Sequence, residues 1–224
     1  MYKYVIVPIV EGRGAKEAVP ILLRNWLRFR RYHRNVEVDL AGPVFTGGKG
    51  TLAAAHDSAW RRGVEHYVHL ALLRQPDVIL VLLDADDDCP ETLAAGLLAR
   101  ARTLVPADYP IGVAVAKREY EAWFLAAFPT DRFRQGLVQQ GFRLTRHSLP
   151  RGMDVEAIAD CKKEVAKLLG LTKYSPTKHQ PALTRILPFT RGMSRRSRSF
   201  QKLLEELDGL LVQARRRRSR SVRP

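Results

Sequence analysis

Residues 77–83, DVILVLL, are apolar almost without a break. Such a strand belongs at the centre of a parallel sheet, where crossover helices cover both of its faces. DADDD follows at 84–88, and then Pro90, a residue suited to the first turn of a helix. A buried strand that ends in clustered carboxylates directs the chain towards an α/β fold with its chemistry beyond the carboxyl ends of the strands.

The flanking sequence supports that class. YKYVIVPIV at 2–10 is short, β-branched and aromatic, a second buried strand. A helical pattern over 15–31 follows, with Pro20 expected in its first turns. VEVDL at 36–40 reads as a strand, 41–50 as a glycine-rich loop and 51–74 as a helix. Beyond the acidic cluster come a helix at 91–103, the strand IGVAVA at 111–116 and a helix at 119–128. This alternation predicts a parallel sheet of about four strands with right-handed crossovers and helices on both faces. After residue 130 the strands stop. Helical stretches are expected at 154–169, 180–187 and 198–213, with a looser segment at 170–179. The expected organisation is an α/β catalytic domain at 1–128, a mainly helical region at 129–213 and a basic disordered tail at 214–224.

The formal net charge is +15, and residues 190–224 contribute +8 of it. A basic surface favours polyanions, of which nucleic acid is the commonest, although a soluble arginine-rich protein without such a partner has the same composition. The two cysteines, Cys89 and Cys161, form no CxxC and no zinc-spaced pair with histidine. No apolar run reaches the roughly 18 residues of a membrane span, and the first residues lack a signal-peptide pattern. A cytoplasmic protein with no membrane partner is expected.

Glu11 directly follows the first strand, and Asp84, Asp86 and Asp88 follow the apolar strand. If those strands are neighbours, both acidic sites meet at one end of the sheet. Clustered carboxylates raise one another's pKa, and a divalent cation relieves the repulsion because hard ions take oxygen ligands. In an extended backbone the alternation sends Asp84, Asp86 and Asp88 to similar sides and Asp87 away. One of the later aspartates, Asp87 or Asp88, could instead cap the helix that begins near Pro90.

VEG at 10–12 and DADDD at 84–88 together resemble the Toprim fold of topoisomerases, primases and OLD-family nucleases. With KREYEAWFLA at 117–126, YSPTKHQPAL at 174–183 and SRSF at 197–200, the chain is similar to a Toprim-like bacterial family of unknown function associated with anti-phage defence. The resemblance covers most of the chain. It implies a Toprim-like Rossmannoid domain in which Glu11 is a general acid/base or metal ligand. It also implies that the aspartates hold Mg²⁺, or Mn²⁺, for phosphodiester hydrolysis. The chain lacks the length and tyrosine context of a topoisomerase, and a primase would need zinc-binding and polymerase partners; nuclease is the branch that remains. Many OLD-type nucleases are coupled to an ATPase, and this chain has no P-loop. That leaves a partner ATPase encoded nearby, and a catalytically weak binding subunit, as the alternative. The substrate is DNA or RNA, and self-association into a homo-oligomer is left open.

Glu121, after the fourth strand, is a further candidate metal ligand, with a surface position as the plain alternative. Lys117 could neutralise charge developing on a phosphate. Lys49, Lys162, Lys163, Lys178, Arg195, Arg196 and Arg198 are candidate nucleic-acid contacts, or else parts of a solvated basic face. GRGAKE at 12–17 echoes a dinucleotide-binding loop, but Glu17 stands where a small residue is needed. GPVFTGGKGT has Pro43 and Gly50 at key P-loop positions. Neither loop is read as a nucleotide cradle.

Overall fold

The computed structural model describes residues 3–32, 37–55, 62–150 and 152–221. The chain runs β1 (Lys3–Val10), α1 (Arg13–Phe29), β2 (Glu37–Leu40), β3 (Val44–Phe45), α2 (Lys49–Ala53), α3 (Val64–Leu72), β4 (Val78–Asp84), α4 (Pro90–Arg102) and β5 (Ile111–Ala116). Helices then follow: α5 (Ala122–Ala127), α6 (Asp131–Gln139), α7 (Cys161–Leu168), α8 (Pro176–Arg185), α9 (Arg191–Arg196) and α10 (Arg198–Ser221), with a 3-10 turn at Val155–Ala157.

Among the described residues all pairings are parallel, in the order β2-β1-β4-β5. The two-residue β3 continues the edge of β1 beyond β2. This is the expected α/β class, a four-position parallel sheet followed by helices. The apolar strand 77–83 is β4, between β1 and β5, and its residues Val78 to Leu83 are all buried. Alternation along the strands divides the core. Ile6, Leu80, Leu82 and Ala114 face α1, α5 and α7–α10, whereas Val7, Ile9, Val81 and Val113 face α3 and α4. Helices therefore cover both faces, as a parallel sheet requires.

Side chains of the later helices share one hydrophobic cluster with those of β1, β4 and β5. Gly112 on β5 shows how closely they pack: an added Cβ would lie 2.0 Å from the Glu206 carboxylate and 3.0 Å from Leu210, both on α10. The expected disordered tail is also different. Residues 214–221 continue α10, and residues 222–224 lie outside the described part. Arginine is a good helix former, and here the arginines have partners. Arg215, Arg217 and Arg218 lie over the rings of Tyr32, Tyr109 and Tyr4, while Ala214 is buried.

Other boundaries moved for local reasons. The single helix expected at 51–74 is α2 and α3, with residues 56–61 outside the described part. Helix α1 begins two residues early and encloses Pro20. Helix α8 starts within the segment expected to be loose, with Pro176 at its first position. Helices α6 and α9 were not expected. The side chains of Thr130 and Thr190 cap them, accepting from Phe133 N and Met193 N.

Candidate active site

The order of strand addition reverses between β1 and β4, although every strand runs the same way. The chain leaves β1 for β2 on one side and returns to β4 on the other, which opens a crevice at the strands' carboxyl ends. Val10 pairs with Leu82, so Glu11 and Asp84 emerge side by side. With Tyr120, Lys162 and Gln180 they line a cleft of about 260 Å³.

Asp84 accepts a 2.8 Å hydrogen bond from the backbone N–H of Tyr120. Burial, then Glu121 and Glu11, push its carboxyl well above the usual range. Burial likewise raises Glu11 to about 6, against the backbone of Asp84 and the cations Lys49 and Lys162. Glu121 is wholly buried beside them, not at the surface, and burial raises its pKa too. Gln180 Nε2 donates to Glu121 Oε1 at 2.9 Å. Glu11 Oε2, Glu121 Oε2 and Gln180 Oε1 are all buried without a hydrogen-bond donor. Buried acceptors without a hydrogen-bond donor are costly, and among the described residues only Glu121 Oε2 of the three has a cation within ion-pair distance, the Lys162 ammonium at 4.0 Å.

Lys162, read as a nucleic-acid contact, stands inside this site. Its Nζ pairs with Glu119 and lies 4.0 Å from Glu121 Oε2. The Glu119 carboxylate also accepts from the backbone N–H of Lys162 at 3.1 Å, which fixes the start of α7. The surrounding carboxylates raise the pKa of Lys162 despite its burial. Lys117, read as the catalytic cation, does not line the cleft.

The acidic cluster is not extended. Asp86 has φ +51°, a left-handed turn that aspartate tolerates. Its N–H donates to Arg118 O, and the N–H of Asp88 donates to Ala85 O. The turn separates the aspartates. Asp84 enters the cleft, Asp87 pairs with Arg118, and Asp86 and Asp88 close on Lys49 at 2.7 and 3.0 Å. Lys49 also donates to Ala85 O at 2.8 Å, so all three of its protons have acceptors. The glycine-rich loop thus delivers a lysine to the acidic turn. Asp88 does not cap α4, whose cap position is Cys89. Among the described residues, no three of His, Cys, Asp or Glu converge with metal-holding geometry. The donor chemistry nevertheless suits a hard cation, because the orphaned atoms are oxygens and two belong to carboxylates.

Glycine 14 is what brings the Gln180 helix here. An added Cβ would lie 2.2 Å from Gln180 Oε1 and 2.8 Å from the Pro176 carbonyl. The second glycine of GRG therefore permits α1 and α8 to touch, a packing role rather than a nucleotide one. Tyr174, within YSPTKHQPAL, is buried within electrostatic reach of Glu121. Sequence reading missed Gln180 and Tyr174, although both lie in a motif it had singled out.

The remaining basic residues divide. Lys163, Lys178 and Arg195 are exposed. Arg198 pairs with Glu91 at 3.6 Å. Arg196 is structural, since its Nε donates to Ala126 O at 2.8 Å. SRSF forms a buried lock: Glu156 Oε1 accepts from Ser197 Oγ, Ser199 N and Ser199 Oγ, and Trp123 Nε1 donates to Ser199 Oγ.

No protein-family profile and no curated protein matches the chain. Among solved structures it is similar to the C-terminal region of the Burkholderia pseudomallei OLD protein, at 16% identity and a TM-score of 0.43, over 92% of this chain and 98% of that one.

Proposed function

We propose that the protein is a Mg²⁺- or Mn²⁺-dependent Toprim-like nuclease that hydrolyses phosphodiester bonds in nucleic acid, serving bacterial anti-phage defence. The observation that carries the reading is the pair of adjacent carboxylates, Glu11 and Asp84, at the reversal point of the sheet, both raised in pKa beside buried oxygens without donors. Glu11 and Asp84 would hold the ion, with Asp86 joining them if it exchanges Lys49 for metal and Glu121 behind them. A bound divalent ion supplies Lewis-acid activation of a phosphate oxygen and of the attacking water.

The chain's own groups supply the rest. In the metal-free site burial holds the Glu11 carboxyl at about 6, a strain that a bound cation would relieve. Lys162 stays charged and offsets negative charge that develops on a phosphate in the cleft. Gln180 orients Glu121 through its 2.9 Å bond. Exposed Lys163 and Lys178, each next in sequence to a cleft-lining residue, offer phosphate contacts there, while Arg195 and the arginines of α10 add salt-sensitive affinity elsewhere on the surface.

Incubation of the purified protein with DNA or RNA in Mg²⁺ or Mn²⁺ tests the reading. Cleavage lost in Asp84→Ala and Glu11→Ala supports it; no cleavage, or cleavage unaltered in both variants, refutes it. A second reading is favoured by the Lys49 pairing, which already balances the Asp86–Asp88 charge. In that reading the protein is a weakly active subunit that binds nucleic acid or a partner ATPase encoded nearby. Co-purification with such an ATPase, and metal-independent binding without turnover in the complex, would favour it.

A further inference from the structure

Helices α1 and α8 run together from the cleft. Gly14 meets Pro176 and Gln180 near their starts, and Asn25 Nδ2 donates to Thr184 O and Arg185 O (3.0 and 3.3 Å) near their ends. At those ends a second groove opens, of about 760 Å³, bounded also by α6. It is lined by Arg28, Arg132 and Arg185 and by no aspartate or glutamate. All three arginines are exposed, and none has an ion pair among the described residues. Beside them Phe29 is 47% exposed, its ring centroid 5.7 Å from that of Phe189; the Arg30 guanidinium lies 5.4 Å over the ring, so a stacking base would displace it or share the ring with it.

We infer that this groove is a second nucleic-acid subsite, one that takes a single strand by stacking a base on Phe29 and holding phosphates with Arg28, Arg132 and Arg185. Unpaired guanidinium groups next to a supported aromatic face are what single strands bind, since every base has a stacking face and every phosphate a charge. Acidic peptide has the charge but nothing to stack. The inference rests on the nuclease reading for its substrate class and adds the path of the strand. From Gly14 to Phe29 is about 22 Å along α1, at about 1.5 Å per residue. At about 3.4 Å per stacked nucleotide, roughly six or seven nucleotides link cleft and groove.

The test is anisotropy of labelled oligothymidylates of about 6 and about 20 nucleotides, lengths chosen to fall short of and to exceed that span, in chelator so that nothing is cut. The longer strand should bind at least about tenfold more tightly. Arg132→Glu with Arg185→Glu should remove that gain and lower the salt slope by about 1.4, at about 0.7 per phosphate contact on a single strand. Phe29→Ala should weaken the longer strand about fivefold or more with its salt slope unchanged. Equal affinity for the two lengths, or variants that bind the longer strand like the parent, would overturn the inference. So would polyglutamate competing as well as the oligonucleotide while Phe29→Ala has no effect. Because the assay involves no cleavage, failure of the nuclease reading shows separately, as intact substrate in Mg²⁺.

Discussion

Replacing Glu11 should make the metal-free protein more stable at neutral pH. In the folded chain the Glu11 carboxyl is raised from 4.5 to about 6. The unfolded chain therefore ionises first as pH rises, and the native state gives up its proton later. Stability from this group is complete below about pH 4.5 and is lost as pH climbs through 6. At about 1.4 kcal/mol per pH unit, the loss reaches at most about 2 kcal/mol by pH 7. In a protein of this size that corresponds to about 4–8 °C in Tm. Glu11→Gln keeps the shape of the side chain and removes the charge. Thermal unfolding in chelator should show the two proteins alike near pH 4 and the variant several degrees more stable at pH 7. Adding Mg²⁺ should stabilise the parent and narrow the gap. Parallel pH curves for parent and variant, or a variant less stable at pH 7, would show that burial does not strain this carboxylate.

Three other outcomes follow from packing. Gly14→Ala places a methyl group against the Pro176 backbone, which cannot swing away as a side chain can; urea denaturation should show a loss of about 1–3 kcal/mol. Glu156→Ala leaves the hydroxyls of Ser197 and Ser199 and the Ser199 N–H without their acceptor, and calorimetry should register about 3 kcal/mol or more. Truncation after residue 213 removes the Arg215, Arg217 and Arg218 contacts with three tyrosines. It should lower Tm by several degrees, at about 0.5–1 kcal/mol per cation–π pair, where loss of a disordered tail would leave it unchanged.

Strands β1, β4 and β5 were legible because each is a short run of apolar residues, whereas the two-residue β3 lay unseen in the segment read as a glycine-rich loop; the parallel class follows from β4 being apolar on both sides. Helix α6 was not, since DRFRQGLVQ turns little more than Phe133 and Leu137 inward. Glu11, Asp84 and Glu121 could be named because each carboxylate lies at or just beyond the carboxyl end of a strand, and topology brings strand ends together. The fate of Asp86 and Asp88 could not, because it depends on one residue adopting positive φ. Lys162 looked like part of a basic surface, and only the packing of α7 against the acidic residues places it in the cleft. Gly14 stood inside a false nucleotide motif, whereas its reason is a helix more than a hundred residues later in the chain.

The intimacy of α10 with the sheet bears on how the protein is made. Every strand leaves the ribosome before α10 does, yet α10 covers part of β4 and β5. Until it arrives, Leu80, Leu82 and Ala114 lack part of their apolar cover. Translation therefore produces a nascent chain whose sheet is written early and sealed late, with sticky surface open to chaperones or to neighbouring chains in the interval. A stop codon upstream of α10 would yield an aggregation-prone product, not a smaller folded protein.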